Sequence, residues 1–116
     1  MVTPTFWITA EPGNTIVLKG DLDLAAVKSF ERVMRPAVKT GGSVVVDASK
    51  LMFIDSTGIR LFLHVAKRLE PTGGCLIVHG FTDSVRRVMT LVGVADRMPN
   101  LHLLDHKCEE PRPAAR

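Results

Sequence analysis

The tetrapeptide Asp55-Ser56-Thr57-Gly58 carries the densest chemical potential in the chain, because it stands where an apolar strand-like run gives way to a helical stripe. Asp, Ser and Thr side chains all accept hydrogen bonds from the free N–H groups of a first helical turn, and Gly58 permits close approach of another segment. Ordinary capping accounts for one of these three polar residues. An exposed hydroxyl at such a terminus also suits an added phosphate, since the helix dipole and the unpaired N–H groups favour negative charge there. Ser56 is the candidate acceptor.

Other chemistries fit less well. A serine nucleophile on a strand–turn–helix elbow needs glycine two residues to either side, and Ile54 stands where the first is required. His64 and His79 read as a surface and a strand-end residue, so no general base is indicated. His102, His106 and Cys108 fall close together without the spacing of a structural zinc site, so no metal is expected. Cys75 and Cys108 form a candidate redox pair only if their Cα atoms come within about 7 Å; separate reduced thiols are the simpler expectation. Trp7, beside Phe6, fits edge packing or a docking surface.

The elements that must position Ser56 follow from breakers and periodicity. Phe6–Ala10 and Thr15–Lys19 are rich in β-formers and flank the turn Glu11–Asn14, which predicts an antiparallel edge pair. Asp23 heads a helix from Leu24 to about Arg35, with Val27, Phe30, Val33 and Met34 on one face and Pro36 expected to break or kink it. The runs around Val44-Val45-Val46 and Leu76-Ile77-Val78 read as central parallel strands buried on both faces. The first of them should end at Asp47, with Ser49–Phe53 a connector. Between the two strands, Ile59, Phe62, Leu63, Ala66 and Leu69 trace an apolar stripe opposite Arg60, His64, Lys67 and Arg68, so the crossover is an amphipathic helix. Asp83-Ser84 should cap a third helix with Val85, Val88, Met89 and Val92 inward and Gly93 as its stop. Leu101–Leu104 completes the order ββαβαβαβ. The expected division is one domain over 1–106 and a flexible tail over 107–116, where Glu109, Glu110, Pro111 and Pro113 cluster.

Composition narrows the function classes. A chain of 116 residues with 46% hydrophobic content supports one core and not two. Its charge of +3, from 15 basic and 12 acidic residues, is scattered, which gives no reason to expect nucleic acid. The longest apolar stretch, Ile59–Leu69, is interrupted by His64, Lys67 and Arg68, so no membrane span is expected. With no basic leader before the first strand, the expected location is the cytoplasm.

Three pieces in order resemble the STAS domain, in particular the small anti-sigma factor antagonists of bacterial partner-switching systems. They are Gly20-Asp21-Leu22-Asp23, then Val44–Ser49 followed by Phe53-Ile54-Asp55-Ser56-Thr57-Gly58, and last Val85–Met89 with Leu91-Val92-Gly93. The resemblance covers nearly the whole chain. It implies an α/β STAS fold, a mixed central sheet of about five strands with helices packed largely on one side. It also implies an interaction protein, not an enzyme, that binds an anti-sigma factor and so releases the sigma factor. By the same resemblance Ser56 is phosphorylated by that partner, an ATP-using serine kinase of the histidine-kinase-like ATPase fold, and a PP2C-type phosphatase reverses the step. The antagonist needs no cofactor of its own and is expected as a monomer or weak dimer. Asp55, Thr57 and Gly58 form the setting of Ser56, Asp21 and Asp23 an acidic pair beside it, and Arg60 stands where the family often has a small residue. Two alternatives remain open: a STAS subunit or regulatory module of a lipid or anion transporter, and an antagonist controlled by Cys75 and Cys108.

Overall fold

The computed structural model describes residues 4–93 and 98–104. Strands β1 (Phe6–Glu11) and β2 (Thr15–Leu22) form the antiparallel hairpin, turning through Gly13 and Asn14, both with positive φ. Helix α1 is Val27–Thr40, β3 is Val44–Ile54, α2 is Ser56–Leu69, β4 is Leu76–His79, α3 is Asp83–Val92 and β5 is Leu101–Leu104. The five strands lie in the order β1-β2-β3-β4-β5, and every pairing after the first is parallel. This is the mixed five-stranded sheet and the element order that the sequence predicts.

Alternation along the strands places one face under the helices. Ile16, Val46 and Val78 occupy one paired row, Val44, Leu76 and Leu101 the next, and all are buried. From the helices Phe30, Met34, Phe62, Ala66, Leu69, Val85 and Met89 join them in one continuous core. The opposite face, with Val45, Asp47, Ile77 and His79, is only half-buried, so the central strands are covered on one face and not on both. On that open face burial raises the carboxyl of Asp47, but the Ser49 N–H at 2.9 Å, the Ser49 side chain and the charges of His79 and Lys50 outweigh it and hold the group below its ordinary value.

Three further expectations are corrected. Strand β3 does not stop at Asp47: Ser49–Phe53 continue it, because β2 also runs on to Leu22 and offers backbone partners as far as Leu22↔Ile54. Register shifts between Val17 and Lys19 and between Gly20 and Asp21 absorb the irregularity, so the spacing of two between buried residues from Val44 to Ala48 gives way to three across Ala48, Leu51 and Ile54. Pro36 neither ends nor divides α1. The helix carries on to Thr40 with Ala37 and Val38 buried, so tertiary packing outweighs the backbone bond that proline forfeits. Helix α3 is capped by Thr82, whose Oγ1 accepts from the Val85 N–H at 3.3 Å, and Asp83 is its first residue. The proposed boundary between 106 and 107 lies outside the described residues.

Phe62 is fully buried with its ring centroid 6.2 Å from that of Phe30, joining α2 to α1. Phe62→Ala is expected to cost about 3–5 kcal/mol in urea unfolding. A loss below about 1 kcal/mol would mean that this helix pair does not carry the core.

Candidate functional site

The carboxyl ends of β2 and β3 lie side by side, with Asp21 paired to Phe53 and Leu22 to Ile54. One residue beyond each pair stands an aspartate in extended backbone: Asp23 at φ −132°, ψ −166° and Asp55 at φ −122°, ψ −169°. Both turn the chain into helix by the same device. The Asp23 Oδ1 accepts from the Ala25 N–H at 3.1 Å, heading a 3₁₀ turn over Leu24–Ala26 that leads into α1. The Asp55 Oδ1 accepts from the N–H groups of Thr57 at 2.9 Å and Gly58 at 3.2 Å.

Asp55 therefore does the capping, and the neighbouring hydroxyl is left over. Ser56 is the first residue of α2 and is exposed, while Thr57 is half-buried behind it. The first turn still carries the positive end of the helix dipole, so a negative group added at Ser56 would be favoured by its own helix.

Gly58 fixes where this turn sits. A Cβ on it would lie 2.5 Å from the Leu22 carbonyl oxygen and 2.7 Å from Ile54 Cγ1, so only glycine lets α2 begin against the end of β2. This close approach gathers Asp21, Leu22 and Asp23 beside Asp55-Ser56-Thr57. Both Asp21 and Asp23 are half-buried, and Gly20, which precedes them, holds a positive φ of 96° against the backbone of Thr5. Arg60 is exposed one turn along α2.

The same end of the sheet exposes large apolar side chains that sequence reasoning did not single out. Leu24 is 75% exposed, Met52 67% and Phe53 49%. A hint lay in Leu51-Met52-Phe53-Ile54, since four consecutive apolar residues in a strand with one covered face cannot all be buried.

The remaining candidates lie elsewhere. Cys75 is half-buried just before β4, and its N–H meets the Ser43 Oγ at 3.3 Å, at the end of the sheet opposite Ser56. The intervening length of β3 puts the two roughly 30 Å apart. Cys108 and His106 lie outside the described residues, so the pairing of Cys75 with Cys108 does too. His102 is exposed on β5, and the described residues hold no cluster suited to a metal ion. Trp7 is 48% exposed on edge strand β1, with the Lys19 ammonium 5.4 Å from its ring centroid. Among the described residues no helix is long and apolar enough to cross a membrane.

Comparison with known proteins agrees with this fold. The family model described as "Mlab, STAS domain" matches residues 9–105. The anti-sigma-B factor antagonist of Staphylococcus aureus (strain NCTC 8325 / PS 47) is 30% identical over 80 residues, covering 68% of this chain and 74% of that protein. The solved structure of the anti-sigma factor antagonist SpoIIAA in its unphosphorylated form superposes with a TM-score of 0.65 at 25% identity, over 86% of this chain and 88% of that one. The phosphorylated form of SpoIIAA from Bacillus has the same fold, with a TM-score of 0.59 at 24% identity, over 86% and 91% of the two chains.

Alanine is the better helix former, yet Gly58→Ala is expected to lower stability by about 1–3 kcal/mol in urea unfolding, because the methyl group meets a backbone carbonyl. Unchanged or raised stability would show that α2 does not need this close approach. Asp55→Ala should cost about 1 kcal/mol through the lost cap.

Proposed function

The chain belongs to the STAS domain family, and from that membership we propose that it is an anti-sigma factor antagonist controlled at Ser56. In its unphosphorylated state it binds an anti-sigma factor and so frees the sigma factor; phosphate on Ser56 ends the contact. The observation that carries this reading is the division of labour at the start of α2, where Asp55 makes the capping bonds and Ser56 stands exposed and unused. It is supported by the relatives of this chain, which are antagonists by name, and by SpoIIAA, which has been solved with and without phosphate.

The surroundings suit a protein partner. Leu24, Met52 and Phe53 supply exposed apolar area of the kind that protein contacts use, and Asp21 and Asp23 add charge for orientation. The partner is an anti-sigma factor of the histidine-kinase-like ATPase fold that uses its own ATP to phosphorylate Ser56, and a PP2C-type phosphatase restores the hydroxyl. The antagonist itself catalyses nothing, needs no cofactor and acts in the cytoplasm.

A phosphate switches this surface by local repulsion. It brings about −1.5 to −2 charge to a position flanked by Asp55 and Asp23. If the interface closes over it, one like-charge pair at about 5 Å and an effective dielectric near 20 costs about 3 kcal/mol before screening. Each 1.4 kcal/mol is about a tenfold change in affinity, so the partner is lost without any refolding.

The direct test is intact mass spectrometry of the protein purified from its native cells, with peptide mapping across residues 54–60. Phosphate on Ser56 is the expected result; its absence across growth and stress conditions would overturn the switch. With the kinase partner in hand, Ser56→Ala should bind it and resist phosphorylation, and Ser56→Glu should bind at least about tenfold more weakly.

A further inference from the structure

From Ser56 a groove of about 470 Å³ runs along α2. Arg60, Leu63, His64 and Lys67 line it from the helix, Ile59 reaches it from beneath, and Val92 and Met98 form the facing wall. Residues 56, 60, 63 and 67 recur at helical spacing, so the groove follows one stripe over about 16 Å of helix. Apolar surface remains open beside it. Val92, expected to face inward, is 44% exposed at the end of α3, and the adjacent Leu91 is 80% exposed.

Among the described residues the polar rim of the groove has one sign. Arg60, His64 and Lys67 are exposed, and no carboxylate lines the groove among the described residues. The one side-chain ion pair found among those residues is Arg86–Asp83 at 3.4 Å, on α3, so these three side chains enter none there. Across Ser56 the sign reverses, with Asp21, Asp23 and Asp55 at the strand ends. The surface around the serine is thus acidic on one side and basic on the other.

We propose that this groove seats an acidic amphipathic segment of the protein partner, with carboxylates meeting Arg60, His64 and Lys67 and apolar side chains lying against Leu63, Val92 and Met98. The inference rests on the proposed antagonist role for the identity of that partner, and on charge complementarity and continuity with Ser56 for the contact itself. An anionic membrane fits less well, because the cations border a concave groove with apolar walls instead of crowning a convex face. Contacts of this kind set orientation and association rate, and they weaken as salt rises.

The test uses the full chain, labelled with ¹⁵N, and a fluorescent amphipathic peptide carrying Glu and Leu at helical spacing. Shift changes are expected along residues 59–67 and at Val92, with affinity that falls as salt is raised. The double variant Arg60→Glu/Lys67→Glu should weaken the peptide at least about tenfold, whereas Arg68→Glu, on the same helix but outside the groove, should change it by less than about twofold. Equal losses from Arg68→Glu would overturn the proposal, as would shift changes elsewhere. So would binding of vesicles containing phosphatidylserine with no binding of the peptide. Failure here is separable from failure of the switch: missing phosphate on Ser56 leaves the peptide result standing, and a peptide that does not bind leaves the phosphorylation result standing.

Discussion

The absent Cβ of Gly58 is the constraint on which the functional end of this molecule depends. Its Cα side faces the Leu22 carbonyl and the Ile54 side chain at distances no other residue could occupy, so the first turn of α2 is pinned against the end of β2. Leu22 and Ile54 are themselves the last paired residues of β2 and β3. What brings Asp23 and Asp55 together is thus a backbone ladder that ends in register and a helix that starts directly upon it. Without that approach the helix start would stand further from β2, and Ser56 would keep Asp55 but lose Asp21 and Asp23 as neighbours.

The two aspartates then divide structural from functional duty. Each uses its carboxylate to satisfy N–H groups of the turn that follows, which removes any need for a serine or threonine cap. The Ser56 hydroxyl is left at the surface with positive dipole beneath it and negative charge beside it. These two influences act on different steps. The dipole favours phosphate on the free protein, whereas the carboxylates make phosphate costly once a partner has excluded water. Under the proposed switch, a phosphate on this serine is favoured by its own helix and costly to bury against a partner.

The periodic parts of this architecture were legible in the sequence. The hairpin, the three helices and the order of the strands follow from turn residues and from apolar stripes such as Phe62, Ala66 and Leu69, because burial on one face leaves a regular trace. The start of α2 was legible as well, since Asp-Ser-Thr-Gly before such a stripe has few other uses. What escaped was decided by neighbours. Ser49 and Lys50 look like a connector, but the length of β2 recruits them into the sheet. Pro36 looks like a terminator, but the core reaches Ala37 and Val38. Val92 has the spacing of an inward residue and lies at the end of its helix, 44% exposed, beside the groove.

The composition of the core bears on how a signal at Ser56 can act. Among the described residues none of the wholly buried ones is polar or charged, although the half-buried Asn100 sends its amide inward, where Nδ2 bonds the Ala66 and Gly74 carbonyls and Oδ1 is buried without a partner. Such a core offers dense packing, and among the described residues it holds no network of linked side-chain hydrogen bonds that could settle into a second arrangement. Two-state transmission through the interior needs an element with two discrete packings, and apart from the caps at helix starts, the part-buried side-chain hydrogen bonds that reach the described helices, such as Asn100 Nδ2 to the Ala66 carbonyl at 2.7 Å, end on backbone carbonyls away from Ser56. A charge placed on Ser56 therefore has its effect where it stands, on whatever meets the strand ends and the stripe along α2. In the proposed switch the sheet and helices serve as a mount, and control lies in the sign of the charges around one exposed hydroxyl.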